Sequence, residues 1–334
     1  MPVKAFQILS EGCLSSMQVF QGIEAVEHKL KNPAITIGNF DGVHKGHQAL
    51  FQRVRQLAEE LNGQSAVVTF DPHPLEVLFP EKAPSFITSH RQKLDIIASC
   101  GIDATVVIPF DHKLSQMSAR EFVEIVLVEK IGARAIVVGH DYRFGHSREG
   151  DIAFLKRLGE QHGFRVETVT GVRVNDTVVS STAIRQMIAN GKIKDANKLL
   201  GRFFEVIGTV VPGRKRGVSL GFPTANIRMP AIMSPRTGVY VVEAEVDGKT
   251  YGGAANLGYN PTFGDTDLSL EVHLFDFDRD IYGKLITVRF IDRLRDELRF
   301  SSPDELSAQI AKDVDTAKKI LADQASHTPL KNIA

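Results

Sequence analysis

Cysteine is scarce in this chain. Cys13 and Cys100 are the only thiols among 334 residues, which excludes a disulfide framework and points to a reducing compartment. Net charge is lacking as well: 40 basic residues balance 40 acidic ones. Nothing in that balance advertises nucleic acid or an anionic membrane as a partner, so any anionic ligand must be met by local charge. No apolar run approaches the ~18 residues of a spanning helix. The stretch from Met1 to Ser16 is interrupted by Ser10-Glu11-Gly12 where a secretory leader would be apolar. A soluble, cytoplasmic protein is expected, with neither membrane nor nucleic acid among its partners.

What is present is organised around Ala34 to His47. An apolar run, Ala34-Ile35-Thr36-Ile37, leads into Gly38-Asn39-Phe40-Asp41-Gly42-Val43-His44-Lys45-Gly46-His47. The spacing of Leu50, Val54, Leu57 and Leu61 then predicts a helix. Strand, tight loop and helix open a nucleotide-binding α/β unit. The loop has neither G-x-G-x-x-G nor G-x-x-x-x-G-K-[ST]; it carries His-x-Gly-His instead. Two imidazoles near a helix N-terminus place N–H donors beside amides that already favour an anion, and Gly46 leaves room for a phosphate. Such equipment suits the α-phosphorus of a triphosphate, hence nucleotidyl transfer. Surface or satisfied core histidines are the alternative.

Further strands are expected at Ala66–Phe70, Thr105–Ile108, Ala135–Val138 and Val166–Val169. Between them, capping boxes at Ser89/Gln92 and Ser118/Glu121 and a cap at Asp151 open helices, the second over Arg120–Lys130. The alternation predicts a mostly parallel sheet with ligands beyond the carboxyl ends of its strands. Three polar segments fall at such ends: Phe70-Asp71-Pro72-His73-Pro74, Gly139-His140-Asp141-Tyr142-Arg143-Phe144-Gly145 and Ser180-Ser181-Thr182-Ala183-Ile184-Arg185. Each alone reads as a turn or cap; jointly with the histidine loop they favour one site.

Residues 187–202 read as a polar linker, dividing a first domain over 1–186 from a second over 203–325. In the second, short β-like runs (Glu205–Val210, Gly238–Glu245, Leu270–Phe275, Leu285–Phe290) separated by turn residues predict a small antiparallel barrel. An amphipathic helix from Pro303 to Ala322 closes it. Pro212-Gly213-Arg214-Lys215-Arg216-Gly217 is a glycine-flanked basic loop able to wrap a diphosphate, or else a solvated basic turn. Thr224 and Asn226 offer two neutral oxygens, two apart on an expected strand and so on one face. Glu271 sits among Leu270, Val272 and Leu274. A carboxylate there is either an edge-strand charge or a functional group.

The ordered set of motifs in both halves resembles bacterial bifunctional riboflavin kinase/FAD synthetases, over nearly the whole chain. The carrying residues are Gly38-x-Phe40-Asp41-Gly42-x-His44-x-Gly46-His47, the three strand-exit segments, Gly221-Phe222-Pro223-Thr224-Ala225-Asn226, Gly238-Val239-Tyr240, Asn260-Pro261-Thr262-Phe263, Glu271 to Asp276, Tyr282-Gly283 and Arg295-x-Glu297-x-x-Phe300. The resemblance implies a Rossmann-like nucleotidyltransferase domain followed by a riboflavin kinase-like barrel. ATP, riboflavin and FMN are then its substrates and FAD its product. It implies ligand contacts from Gly38, Phe40, Asp41 and Gly46, from Asp71, Asp141 and Phe144 by the flavin and adenine pockets, and from Ser181, Thr182 and Arg185 at the triphosphate. In the barrel it implies nucleotide contacts from Gly213, Arg214 and Gly217, Mg²⁺ on Thr224 and Asn226, and Glu271 as general base. Tyr142 and Val218 depart from the family's usual Phe and polar residue.

A pantetheine-phosphate or cytidylyl-type transferase fused to an unrelated barrel leaves Pro-Thr-Ala-Asn and Glu271 unexplained. A flavin sensor or store has no use for His44, His47, Thr224, Asn226 and Glu271 together. An aminoacyl-tRNA synthetase would need a Lys-Met-Ser-Lys-Ser-type loop, which is missing.

Overall fold

A run such as Ala34-Ile35-Thr36-Ile37, apolar on both faces, can only sit inside a sheet covered on both sides. The computed structural model, which describes residues 17–213, 217, 220–259 and 268–326, places it so. In the first part of the chain, β1 (Gln18–Gln21), α1 (Ile23–Val26), β2 (Ala34–Ile37), α2 (Lys45–Glu60) and β3 (Ser65–Asp71) are followed by α3 (Pro74–Leu78), α4 (His90–Ser99) and β4 (Ala104–Pro109). Then come α5 (His112–Ser115), α6 (Ala119–Glu121), β5 (Ala135–Gly139), α7 (Ile152–His162) and β6 (Arg165–Val169), with a small hairpin of β7 (Arg173–Val174) and β8 (Thr177–Val178). Six parallel strands lie in the order β1-β4-β3-β2-β5-β6.

Both capping boxes form, at Ser89 with Gln92 and Ser118 with Glu121. The helix expected over Arg120–Lys130 is present, but from Phe122 to Lys130 it is wound in wider π turns. Leu50, Phe51, Val54, Leu57 and Ala58 of α2, with Ile96 and Ile97 of α4, cover one face of the sheet. Phe122, Val126, Leu127, Leu155 and Leu158 cover the other.

The chain divides into two compact units between Ser180 and Ser181. The second begins with α8 (Ser181–Ala189) and α9 (Ile193–Leu200), so the stretch expected as a polar linker is largely helical. Its barrel closes in the order β10-β13-β12-β11-β14-β9, from β9 (Phe204–Val211), β10 (Ala225–Ile227), β11 (Gly238–Val246), β12 (Lys249–Tyr259), β13 (Leu268–Leu274) and β14 (Leu285–Arg295). Burial alternates along all of β9, as a barrel with a filled interior requires. The Phe290 ring meets Phe204 at 5.8 Å and Tyr240 at 5.2 Å. Outside, α10 (Pro303–Ser326) packs Val314 and Ala317 against Val241 and Ile291. Arg295 grips Asp313 of that helix at 2.6–3.1 Å.

Asn197 ties α9 to the barrel. Its buried amide donates to the Phe290 carbonyl (2.9 Å) and accepts from the Phe204 N–H (2.7 Å). Replacing Asn197 by Ala takes these partners from two buried backbone groups, an expected cost of about 2–4 kcal/mol. The denaturant midpoint of the barrel unit measures it; an unchanged midpoint would mean that α9 is dispensable to the barrel.

Candidate functional site

Crossovers from β2 through β3 to β4 run one way along the sheet, and β5 then returns to the other side of β2. The loops leaving β2 and β5 therefore diverge and open a crevice at their carboxyl ends.

The loop leaving β2 passes through positive φ at Phe40 (52°), Gly42 (78°) and Val43 (37°). For phenylalanine and a β-branched valine such backbone costs roughly 1–3 kcal/mol each and persists only where the surroundings over-determine it. Here they do. Phe40 and Val43 are buried, and the Phe40 ring lies edge-on to His47 and Phe51, each at 5.1 Å. A Cβ on Gly38 would stand 3.0 Å from that ring. Asp41 is only 6% exposed, and its carboxylate accepts from the amides of Ile87 (2.9 Å) and Thr88 (3.3 Å). It ties the loop to the segment before α4.

The loop delivers two imidazoles to the start of α2. His44 is its N-cap, and His44 Nδ1 accepts from the His47 amide at 3.4 Å, an imidazole in the place usually taken by a hydroxyl or carboxylate. With Nδ1 accepting, the hydrogen-bond pattern assigns the proton to Nε2. The two rings stack at 3.6 Å and 18°. A Cβ on Gly46 would come within 3.1 Å of the His44 ring, so the room expected there for a phosphate seats the imidazole.

At the exit of β3, Asp71 lies 3.4 Å from His90 Nδ1. Burial holds His90 below the ordinary histidine pKa, against the pull of Asp71. His73 is the cap of α3, in a capping box with Glu76. Lys93 reaches the same place from α4, donating to Asn39 and Phe70 carbonyls. The sequence did not single it out, although Lys93, Ile96, Ile97 and Cys100 share the helical spacing of a buried stripe.

At the exit of β5, Asp141, Tyr142 and Arg143 line a cavity of about 450 Å³ with Arg148 and Asp151, a size suited to a small ligand. Phe144 does not line it. It is buried in the sheet's core near Phe122 and Phe154, and Tyr142 stacks on it at 5.4 Å. Phe144 is thus an anchor for the cavity wall. Ser181, Thr182 and Arg185 occupy the first turns of α8, in the second unit.

In the barrel, Asn226 pairs across strands with Glu271, and Glu271 pairs on its other side with Asn256 of β12. Directly opposite side chains share a face, so a half-exposed carboxylate stands between two carboxamides. Leu270, Val272 and Leu274 alternate with it and are buried. Since β13 has neighbours on both sides, Glu271 is not an edge-strand charge. Thr224 immediately precedes β10, just short of the expected strand position. A Cβ on Gly213 would overlap the Asn226 carboxamide, and one on Gly217 would lie 3.4 Å from Thr224 Cγ2. Both ends of the basic loop therefore pack on Thr224 and Asn226. His273 Nδ1 donates to the Pro223 carbonyl at 2.9 Å and steadies the same segment. Arg214 to Arg216, Val218 and Asn260 to Phe263 lie outside the described residues.

Comparison with known proteins divides along the same lines. The FAD synthetase family model matches residues 26–183 and the riboflavin kinase model residues 200–321. Bifunctional riboflavin kinase/FMN adenylyltransferases are similar along their length. The Pseudomonas fluorescens protein is 40% identical over 92% of this chain and 99% of its own. That of Haemophilus influenzae is 39% identical over 90% and 98%, and that of Escherichia coli K12 39% over 91% and 97%. A Streptococcus pneumoniae crystal structure described as a macrolide-efflux protein superimposes with a TM-score of 0.82 at 30% identity, covering 91% of this chain and 99% of that one. Among the described residues, no helix is long and apolar enough to cross a membrane.

Proposed function

Because this chain belongs to the bifunctional riboflavin kinase/FMN adenylyltransferase family, we propose that its kinase centre is built on β10 and β13 and its adenylyl-transfer centre on the loop between β2 and α2. The chain carries both activities and serves FAD biosynthesis, with ATP as donor in each step.

The pairing of Glu271 with Asn226 carries the kinase assignment. The riboflavin 5′-hydroxyl attacks the γ-phosphorus of ATP while Glu271 takes the hydroxyl proton, giving FMN and ADP. Gly213, Arg214 and Gly217 hold the nucleotide phosphates. Thr224 and Asn226 would hold Mg²⁺; two neutral oxygens, with glycine backbone packed against them, suit a hard cation whose charge is met by ATP. Bound there, the ion supplies charge neutralisation on the transferring phosphoryl group.

In the second reaction an FMN phosphate oxygen attacks the α-phosphorus of ATP and pyrophosphate leaves. The nucleophile is already anionic, so no general base is needed. His44 and His47 stabilise charge on the α-phosphate. Asp71 and Asp141 contribute at the flavin and adenine ends, and Ser181, Thr182 and Arg185 hold the triphosphate. A reducing cytoplasm, consistent with two cysteines, is the proposed location.

Purified protein given riboflavin, ATP and Mg²⁺ is expected to yield FMN and then FAD by chromatography. A fragment from Ser181 onward should make FMN and no FAD. A fragment from Gly201, lacking α9 and its Asn197 clasp, should lose kinase activity through instability. An inert but folded Ser181 fragment beside an active full chain would sink the division of labour.

A further inference from the structure

Lys93 is the one lysine under a tenth exposed among the described residues, at 8%. It lies in the first turn of α4, where a helix N-terminus disfavours a cation, and burial disfavours the charge again. Only its partners explain the placement. Lys93 Nζ donates to the Asn39 carbonyl (3.4 Å), the Thr69 hydroxyl (3.2 Å) and the Phe70 carbonyl (3.3 Å). An ammonium has three donors and no acceptor, so all three are matched. Thr69 Oγ1 in turn donates to Asn39 O at 3.3 Å.

These acceptors lie at the carboxyl ends of two adjacent strands. Asn39 follows β2 in the loop that bears His44 and His47, while Thr69 and Phe70 end β3. The Asn39 carbonyl belongs to the peptide just before Phe40, the first positive-φ residue of that loop. The cavity that Lys93 borders with Asp71, His73 and His90 is about 50 Å³, room for a water or two and far too small for a flavin or nucleotide.

We infer that Lys93 is a positioning residue for adenylyl transfer: its ammonium pins the Asn39–Phe40 peptide to the exit of β3 and so sets where His44 and His47 stand. This rests on the assignment of those histidines made above. Charge on Lys93 is required, and burial holds its pKa below the usual lysine value, against Asp71, Asp41 and Glu76; His73 and His90 also face it across the cavity. As pH rises through that lowered pKa the cation is lost, and the histidine loop is released.

The test is steady-state transfer from ATP to supplied FMN by the full chain and its Lys93→Met and Lys93→Arg variants. Lys93→Met keeps the apolar stem and is expected to lower kcat by on the order of 10- to 100-fold, the scale of a small misplacement. KM for ATP and FMN should stay within about threefold, and riboflavin phosphorylation should not change. Wild-type kcat should fall on the alkaline side, and Lys93→Arg, charged throughout, should recover part of the rate and lack that fall. Unchanged kcat in Lys93→Met overturns the inference, and so does a raised KM with kcat retained, which would make Lys93 a ligand contact. If Lys93→Met does not fold, an alkaline limb that persists in Lys93→Arg overturns it equally. Failure of the underlying assignment would show elsewhere, as normal FAD synthesis by His47→Ala.

Discussion

Glu271→Gln is expected to lower riboflavin phosphorylation by ~10²–10⁴-fold, the range for loss of a general base. Glutamine keeps the size, shape and most of the hydrogen bonding of glutamate and removes only its basicity. The barrel makes the experiment clean. Glu271 projects outward from β13 while Leu270, Val272 and Leu274 fill the interior, so the substitution leaves the core untouched. On either side stand Asn226 and Asn256, whose carboxamides can donate to or accept from the new amide. Riboflavin binding should persist. Adenylylation of supplied FMN should persist too, because that reaction has an anionic nucleophile and needs no residue of the barrel's strands. Two rates on one folded variant decide it, riboflavin to FMN and FMN to FAD. Loss of the first alone supports the assignment; loss of neither returns Glu271 to an ordinary outward charge.

His47→Ala should reduce FAD formation by on the order of 10²-fold or more, as for a lost oxyanion-hole donor, with FMN formation within a few-fold of normal. His44 needs a different substitution. It caps α2 through Nδ1, so alanine would remove a cap, worth about 1 kcal/mol, along with the imidazole. His44→Asn retains a capping oxygen and removes only the ring. It is expected to melt near wild type and to lose adenylyl transfer on the same 10²-fold scale. A His44→Asn variant with full FAD synthesis would reduce His44 to a structural cap. The two rings stack at 3.6 Å, so the double variant should cost less than the product of the singles, as for residues acting as a unit.

Signals that are local in sequence translate directly into structure. Ala34–Ile37 is an interior strand because Ala34, Ile35 and Ile37 are apolar around a β-branched Thr36 and all four are buried, and Ser89 and Ser118 start helices because the cap and its partner lie three apart. Glu271 stood out because a carboxylate interrupts an alternating strand. Strand β12 did not, because Gly252, Gly253 and Gly258 weaken its pattern. Its glycines answer to packing: a Cβ on Gly252 would come within 2.7 Å of Leu321, far away in sequence.

By itself, then, the sequence determined the parallel α/β half, the antiparallel barrel that follows it and the helix that closes the chain, since each of these is written in spacing along the chain. Only the tertiary structure decided what each motif residue touches within the fold. Asp41 has the look of a ligand but binds amides 46 and 47 positions away. Lys93 has the look of an ordinary helix residue but fastens a carbonyl 54 positions away. Phe144 belongs to the core, and α9 to the barrel. A side chain's chemistry is visible in its letter, but its partner across the fold is set by chain crossing and packing, which no local pattern encodes.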